Sequence, residues 1–119
     1  MNKICILKEE IKMSKAKRMM RVWWIAQIGS SPTMYVPVEN EVEAKKILDT
    51  LSVYDMFQYK NKIKGDYANA GGVEIFEDGE WCDWYIDDEN GFYDDVEEYL
   101  QEVFGIEGNM VYRANISNI

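Results

Sequence analysis

From Met19 to Ile28 the chain reads Met-Met-Arg-Val-Trp-Trp-Ile-Ala-Gln-Ile, rich in the β-branched and aromatic side chains that suit a pleated, half-buried surface. Gly29-Ser30-Ser31-Pro32 interrupts this run. Thr33 to Val38 is a second strand, with Pro37 lacking the N–H that a central strand needs. The two runs predict an antiparallel hairpin. The apolar period then lengthens: Ala44, Ile47, Leu48, Leu51 and Tyr54 recur at three- and four-residue spacing. Asn40 with Glu43 forms a capping box, and Glu41 and Glu43 lie where a helix dipole favours acids. A helix is predicted from Asn40 to near Tyr54. Phe57 to Lys64 alternates, with Phe57, Tyr59, Asn61 and Ile63 on one parity and Gln58, Lys60, Lys62 and Lys64 on the other. If extended, that segment lines its lysines along one face. Gly65-Asp66 and Gly71-Gly72 punctuate the next stretch, which predicts a loop over Tyr67 to Ala70.

Asp78-Gly79 between Val73–Glu77 and Glu80–Ile86 is the dipeptide of a two-residue type I′ hairpin. That turn sets Phe76 opposite Trp81, Ile75 opposite Cys82 and Val73 opposite Trp84. Val73, Ile75, Cys82 and Trp84 then share one face, and Glu74, Phe76, Trp81 and Asp83 the other. Asp87 to Gly91 reads as an acidic loop. Asp94 with Glu97 opens a second helix with a stripe of Val96, Leu100, Val103 and Phe104, and Gly105 is its C-cap. Met110 to Ile116 has the composition of a last strand. The predicted fold is α+β: one antiparallel sheet of about five or six strands with two α-helices on one face. Its predicted core is Ile47, Leu48, Leu51, Val73, Ile75, Trp84, Leu100 and Val103. Residues 19–119 form this single domain, and residues 1–18 are a leader or an extra strand. Lys8-Glu9-Glu10 can be encoded by a purine-rich ribosome-binding sequence two codons before Met13, which predicts translation from Met13.

A length of 119 residues suits one domain, and a hydrophobic content of 47% supplies a packed interior. The charge of −9 is unevenly spread. Residues 1–24 carry seven basic and two acidic side chains, whereas residues 65–112 carry fifteen acidic ones and no Lys or Arg. An acidic excess of this kind repels nucleic-acid backbones, so no direct nucleic-acid partner is expected. Cys5 and Cys82 stand far apart with no CxxC spacing, as in a reducing compartment. The chain shows no apolar run that approaches a membrane span, so a cytoplasmic protein without membrane contact is expected.

Histidine is absent, which removes the commonest general base and metal ligand and predicts a binding protein rather than an enzyme. No phosphate-binding glycine motif is present, and two distant cysteines do not build a zinc site. Counted from Asp87, a calcium loop would place its bidentate acid at Glu98 but its obligatory glycine at Phe92. No cofactor or metal is expected.

Two constellations remain. Phe57, Tyr59, Lys60, Lys62, Lys64, Tyr67 and Asn69 put aromatic faces, ammonium groups and an amide within a short stretch, and Arg18, Arg21 and Arg113 are basic residues that can join them. These groups suit a small nucleotide: rings for a base, cations for phosphate, an amide for a base edge or ribose. Phe76 and Trp81 with Asp83, extended by Asp87, Asp88 and Glu89, instead pair aromatic anchors with an acidic rim, which suits a basic host protein.

The run YDMFQYKNKIKGDYANAGGVEIFEDGEW, Tyr54 to Trp81, with the preceding helix resembles a family of small tailed-phage and prophage proteins labelled superinfection exclusion or immunity. Its distinctive parts are YDMFQY and DYANAGG. The resemblance implies an accessory, counter-defence protein that acts by binding in the cytoplasm of the infected host. One such role is sequestration of a host immune nucleotide without cleaving it, similar to that of the Thoeris anti-defence sponges. Two copies are expected to build such a pocket together, as a homodimer or higher oligomer. The alternative is an acidic, DNA-mimic-like inhibitor of a host defence nuclease or nucleic-acid-binding protein.

Overall fold

The computed structural model describes residues 18–111. Of the expected leader or extra strand at residues 1–18 only Arg18 is described; the rest of it, with the start at Met13 and Cys5, and Arg113 lie outside the described residues. The order is β1 (Met20–Ile25), β2 (Thr33–Val38), α1 (Glu41–Lys60), β3 (Ala70–Glu77), β4 (Glu80–Asp83), β5 (Ile86–Asp88), β6 (Gly91–Tyr93) and α2 (Val96–Phe104). The fold is α+β. Its strands are shared between an antiparallel four-stranded sheet, β2-β1-β3-β4, and a two-stranded sheet, β5-β6.

The β3–β4 hairpin has the predicted register, Phe76 to Trp81 and Ile75 to Cys82. Asp78 (φ 54°) and Gly79 (φ 82°) both take the positive φ that a type I′ turn requires. β4 stops at Asp83, short of the predicted Ile86, although the Trp84 N–H still donates to the Val73 carbonyl at 3.0 Å. The chain then turns into β5, so the predicted acidic loop at Asp87 to Gly91 is a tight hairpin. Asp88 shapes its turn by accepting from the Asn90 N–H at 2.8 Å.

β1 is the hub of the sheet, bonded to β2 and β3. Its alternation buries Met20, Val22 and Trp24 on one face. Both helices cover that face. A single cluster joins Met20, Val22, Val38, Ala44, Val73, Ile75, Trp84, Val96, Tyr99 and Leu100, with Ile47, Leu48 and Val103 half-buried against it. Leu51, predicted for the core, is half-buried and lies outside the cluster. The buried positions of α1 are Ala44, Lys45, Asp49 and Asp55, while Tyr54 is exposed. Ala44, Ile47 and Leu48 still meet the core, so the core-facing side of the helix is widened by about one residue beyond the apolar stripe. Ion pairing explains this: Lys45 Nζ lies 3.1 Å from Asp49 Oδ2 and Lys64 Nζ 2.5 Å from Asp55 Oδ1, so charged side chains are tolerated beneath the helix.

Asn40 caps α1 by accepting from the Glu43 N–H at 2.8 Å, and Asp95 caps α2, which ends at Gly105 in the left-handed conformation. α1 continues past Tyr54 to Lys60, so the predicted extended segment at 57–64 is half helix and half loop. No Gly or Pro breaks the chain between Asn40 and Gly65, and Lys60 in the last turn favours the helix dipole. Met110 and Val111 are helical, not the start of a strand. Asp49 Oδ2 accepts the Met110 N–H at 2.9 Å, satisfying a free amide at that helix start.

Candidate functional site: the outer face of the sheet

The other parity of β1 presents Arg21, Trp23 and Ile25 on the face away from the helices. The Arg21 guanidinium lies 3.8 Å from the Tyr35 ring centroid and 4.0 Å from that of Trp81. Its Nε donates to Glu74 Oε1 at 2.8 Å. One side chain from each of the four strands thereby joins a single stack: Tyr35, Arg21, Glu74 and Trp81. Phe76 extends it, edge-on to Trp81 at 5.3 Å between centroids. The carboxylate and the two rings hold the guanidinium in place, so the platform is ordered before any partner arrives. None of the described elements covers this face.

Gly71 and Gly72 belong to β3, contrary to the predicted punctuation. They pair across the ladder with Trp24 and Trp23. The missing side chains let one indole lie on each face of the sheet.

Asp83, opposite Glu74 in the ladder, is exposed at the edge of this face, and Asp78 and Glu80 are exposed in the hairpin turn. Asp87, Asp88 and Glu89 are also exposed but belong to the β5–β6 hairpin, whose Ile86 and Tyr93 pack against the helix-side core, so the predicted acidic rim is divided. Where β3 leaves the sheet, Arg18 NH1 pairs with Glu77 Oε2 at 3.3 Å and NH2 donates to the Tyr85 carbonyl at 2.6 Å. The Tyr85 hydroxyl donates a short hydrogen bond to Glu77. That bond holds the Glu77 carboxyl below its ordinary range, with Arg18 adding to the effect, and raises the Tyr85 phenol. Desolvation, then Glu77 and Glu80, pushes the Cys82 thiol upward, so it stays a neutral thiol at pH 7. Arg18 and Arg21 are therefore tied to Glu77 and Glu74 and do not join the lysines.

The sequence-predicted nucleotide group is divided. Phe57, Tyr59 and Lys60 occupy the last turn of α1, Lys62 and Lys64 the loop after it, and Tyr67 and Asn69 the approach to β3. Asp55 accepts from Lys64 Nζ and from Asn69 Nδ2, each at 2.5 Å, and Lys64 also donates to the Ala26 carbonyl. Those two predicted ligand contacts thus bind the loop to the helix. Tyr59, Lys60, Lys62 and Lys64 border an open hollow of about 390 Å³. Asn69 lines a different one. Tyr67 bonds to Ser52 at 3.2 Å and lies 6.3 Å from the Tyr59 ring. Sequence reasoning missed Asp55 and the Tyr35–Arg21–Trp81 stack. An acid four residues after Leu51, on the apolar stripe, was the available signal for Asp55; the stack has none, because its members are distant in sequence.

Residues 19–104, from β1 through α2, match the family described as superinfection exclusion gene product 17. The chain belongs to this phage superinfection exclusion family. It is 38% identical over 97 residues to the superinfection exclusion protein of Salmonella phage P22, covering 71% of this chain and 91% of that relative. No solved structure matches. The stretch matched to the family contains every member of the outer-face stack. No helix among the described residues is long and apolar enough to cross a membrane.

Proposed function

We propose that this phage protein acts in superinfection exclusion by binding a basic protein through the outer face of its sheet, without catalysing a reaction. The stack of Tyr35, Arg21 and Trp81 across the sheet carries this reading: it is a pre-ordered aromatic platform with Asp83 exposed beside it and Asp78 and Glu80 in the adjoining turn. Aromatic anchors supply contact area, and these acids supply steering and selectivity for a cationic partner. The partner class that fits is a host defence nuclease or another nucleic-acid-binding protein in the cytoplasm of the infected cell. Such a surface is already shaped to meet an acidic polymer.

The test combines plaque assays with capture. Cells expressing the chain should alter plating of a superinfecting phage, and Trp81→Ala or Asp83→Lys should remove that effect while keeping a native spectrum. The same variants should lose a basic partner whose capture weakens as salt rises. Unchanged plating and capture by both folded variants would reject this face.

A second reading, sequestration of an immune nucleotide, is favoured by the hollow beside Tyr59, Lys60 and Lys62. It has fewer free groups, because Asp55 engages Lys64 and Asn69. Calorimetric titration with cyclic dinucleotides, cyclic ADP-ribose isomers and NAD tests it. Sequestration requires heat on binding and return of the ligand unaltered after denaturation.

A further inference from the structure

A cleft of about 410 Å³ opens on the helix side of the sheet, facing away from the outer stack. Its volume falls at the small end of ligand sites. Trp24 from β1 and Leu48 from α1 make the floor. Gly71 allows that arrangement, since a Cβ there would stand 2.5 Å from Trp24 Cε3 and 2.9 Å from Leu48 Cδ2. Polar groups make the walls: Asp49 and Ser52 from α1, Asn69 before β3, Glu97 in the first turn of α2, and Gly108 and Asn109 after it.

The charges do not cancel. Lys45 Nζ lies 3.1 Å from Asp49 Oδ2 and 3.5 Å from Glu97 Oε1. Two carboxylates around one ammonium leave one negative charge, and no Lys or Arg is among the residues that line the cleft. The Asp49 side chain is buried, and its Oδ2 also accepts the Met110 N–H, so its position is fixed. The Glu97 side chain is 75% exposed, and Glu97 Oε2 and Asn69 Oδ1 accept no hydrogen bond among the described residues. Two unused acceptors and a residual negative charge over an apolar floor call for a donor-rich monocation with a short apolar stem. A divalent metal does not fit, because the Lys45 ammonium stands between the carboxylates, and the described residues contain no group of three metal-ligating side chains. An anion would meet the same residual charge with repulsion.

We propose that this cleft binds one alkylguanidinium or alkylammonium group, with its stem on Trp24 and Leu48 and its N–H groups on Glu97 and Asn69. This inference is independent of the outer-face reading, because the two surfaces lie on opposite sides of the sheet. The same chemistry is carried by a free small cation and by an Arg or Lys side chain of another protein.

The experiment is a low-salt NMR titration of the ¹⁵N-labelled full chain with N-acetyl-arginine amide, with N-acetyl-citrulline amide as the neutral isostere. Saturable shifts are expected at Asn69, Gly71 and Glu97 with the arginine probe and none with citrulline. Glu97→Gln, which removes one charge-assisted contact at an exposed position, should weaken the affinity about tenfold without disturbing the rest of the spectrum. A parallel arm with end-blocked Gly-Arg-Gly separates the sources. Tighter binding of the peptide points to a protein side chain, and equal or weaker binding to a free cation. No saturable shift, equal binding of citrulline, or unchanged affinity in Glu97→Gln would overturn the proposal.

Discussion

A Cβ at Gly72 would stand 2.5 Å from Trp23 Nε1, and one at Gly71 equally close to the Trp24 ring. In most strands Gly→Ala gains about 0.5–1 kcal/mol by restricting the unfolded chain. Here each new methyl must displace an indole, and overpacking of this sort costs about 1–3 kcal/mol. The second effect outweighs the first, so Gly71→Ala and Gly72→Ala should each lower stability in chemical denaturation. Gly72→Ala should also perturb the outer face, because Trp23 lies there beside Tyr35. A different residue-scale coupling links Glu77 and Tyr85. The depressed Glu77 carboxyl contributes stability above its ordinary value near 4.5, and that contribution is lost as pH falls through the folded value. The raised Tyr85 phenol contributes below its ordinary value near 10, and its contribution is lost as pH rises through the folded value. Tyr85→Phe should therefore raise the Glu77 titration midpoint toward 4.5 in a carboxyl NMR titration.

At the scale of elements, α1 combines a hydrophobic role with an electrostatic one. Asp55 is buried and gathers Lys64 and Asn69, so it fixes the path of residues 61–69 against the helix. Asp55→Ala leaves both donors without that partner. Lys64 retains a route to water, its side chain being 17% exposed, which limits the loss to about 1–3 kcal/mol. The local signature is faster hydrogen exchange at the amides of 61–69, with β1 and β3 still protected. The apolar stripe gives a contrast within one experiment. Leu100→Ala in α2 removes a fully buried side chain and should cost about 2–5 kcal/mol. Leu51→Ala, at a half-buried position outside the core cluster, should cost less than about 1.5 kcal/mol. Equal losses would return Leu51 to the core.

Across the whole molecule, the cations and anions are segregated. The fifteen acids of residues 65–112 have no Lys or Arg within their own stretch, and the cations that answer them come from other elements: Arg18 and Arg21 by β1, Lys45 in α1. A charge of −9 on a chain this small repels itself. Added salt screens that long-range repulsion more than the short pair of Lys45 and Asp49, whose side chains are nearly buried. Melting temperature should accordingly rise between low and moderate sodium chloride, by roughly 2–5 °C. Partner capture at the outer face should fall over the same range. Opposite salt responses of stability and binding would separate self-repulsion from recognition.

The features that the sequence determined by itself were local. Asp78-Gly79 dictated a turn and hence the β3–β4 register, because positive φ at two adjacent positions admits few side chains. Asn40 and Gly105 marked helix ends through hydrogen bonds that reach only a few residues. The resemblance carried by YDMFQY and DYANAGG led to the family on its residues alone. The features that only the tertiary structure decided depend on pairings at long separation. Whether Phe57–Lys60 would be strand or helix could not be read from a four-residue alternation, which both periods accommodate. The fate of Lys64 and Asn69 depended on where Asp55 faced, and the stack of Tyr35, Arg21 and Trp81 on β1 being placed between β2 and β3. A side chain in a strand shows its parity in the sequence. Its neighbours are set by strand order, and that is fixed only when the sheet closes over its core.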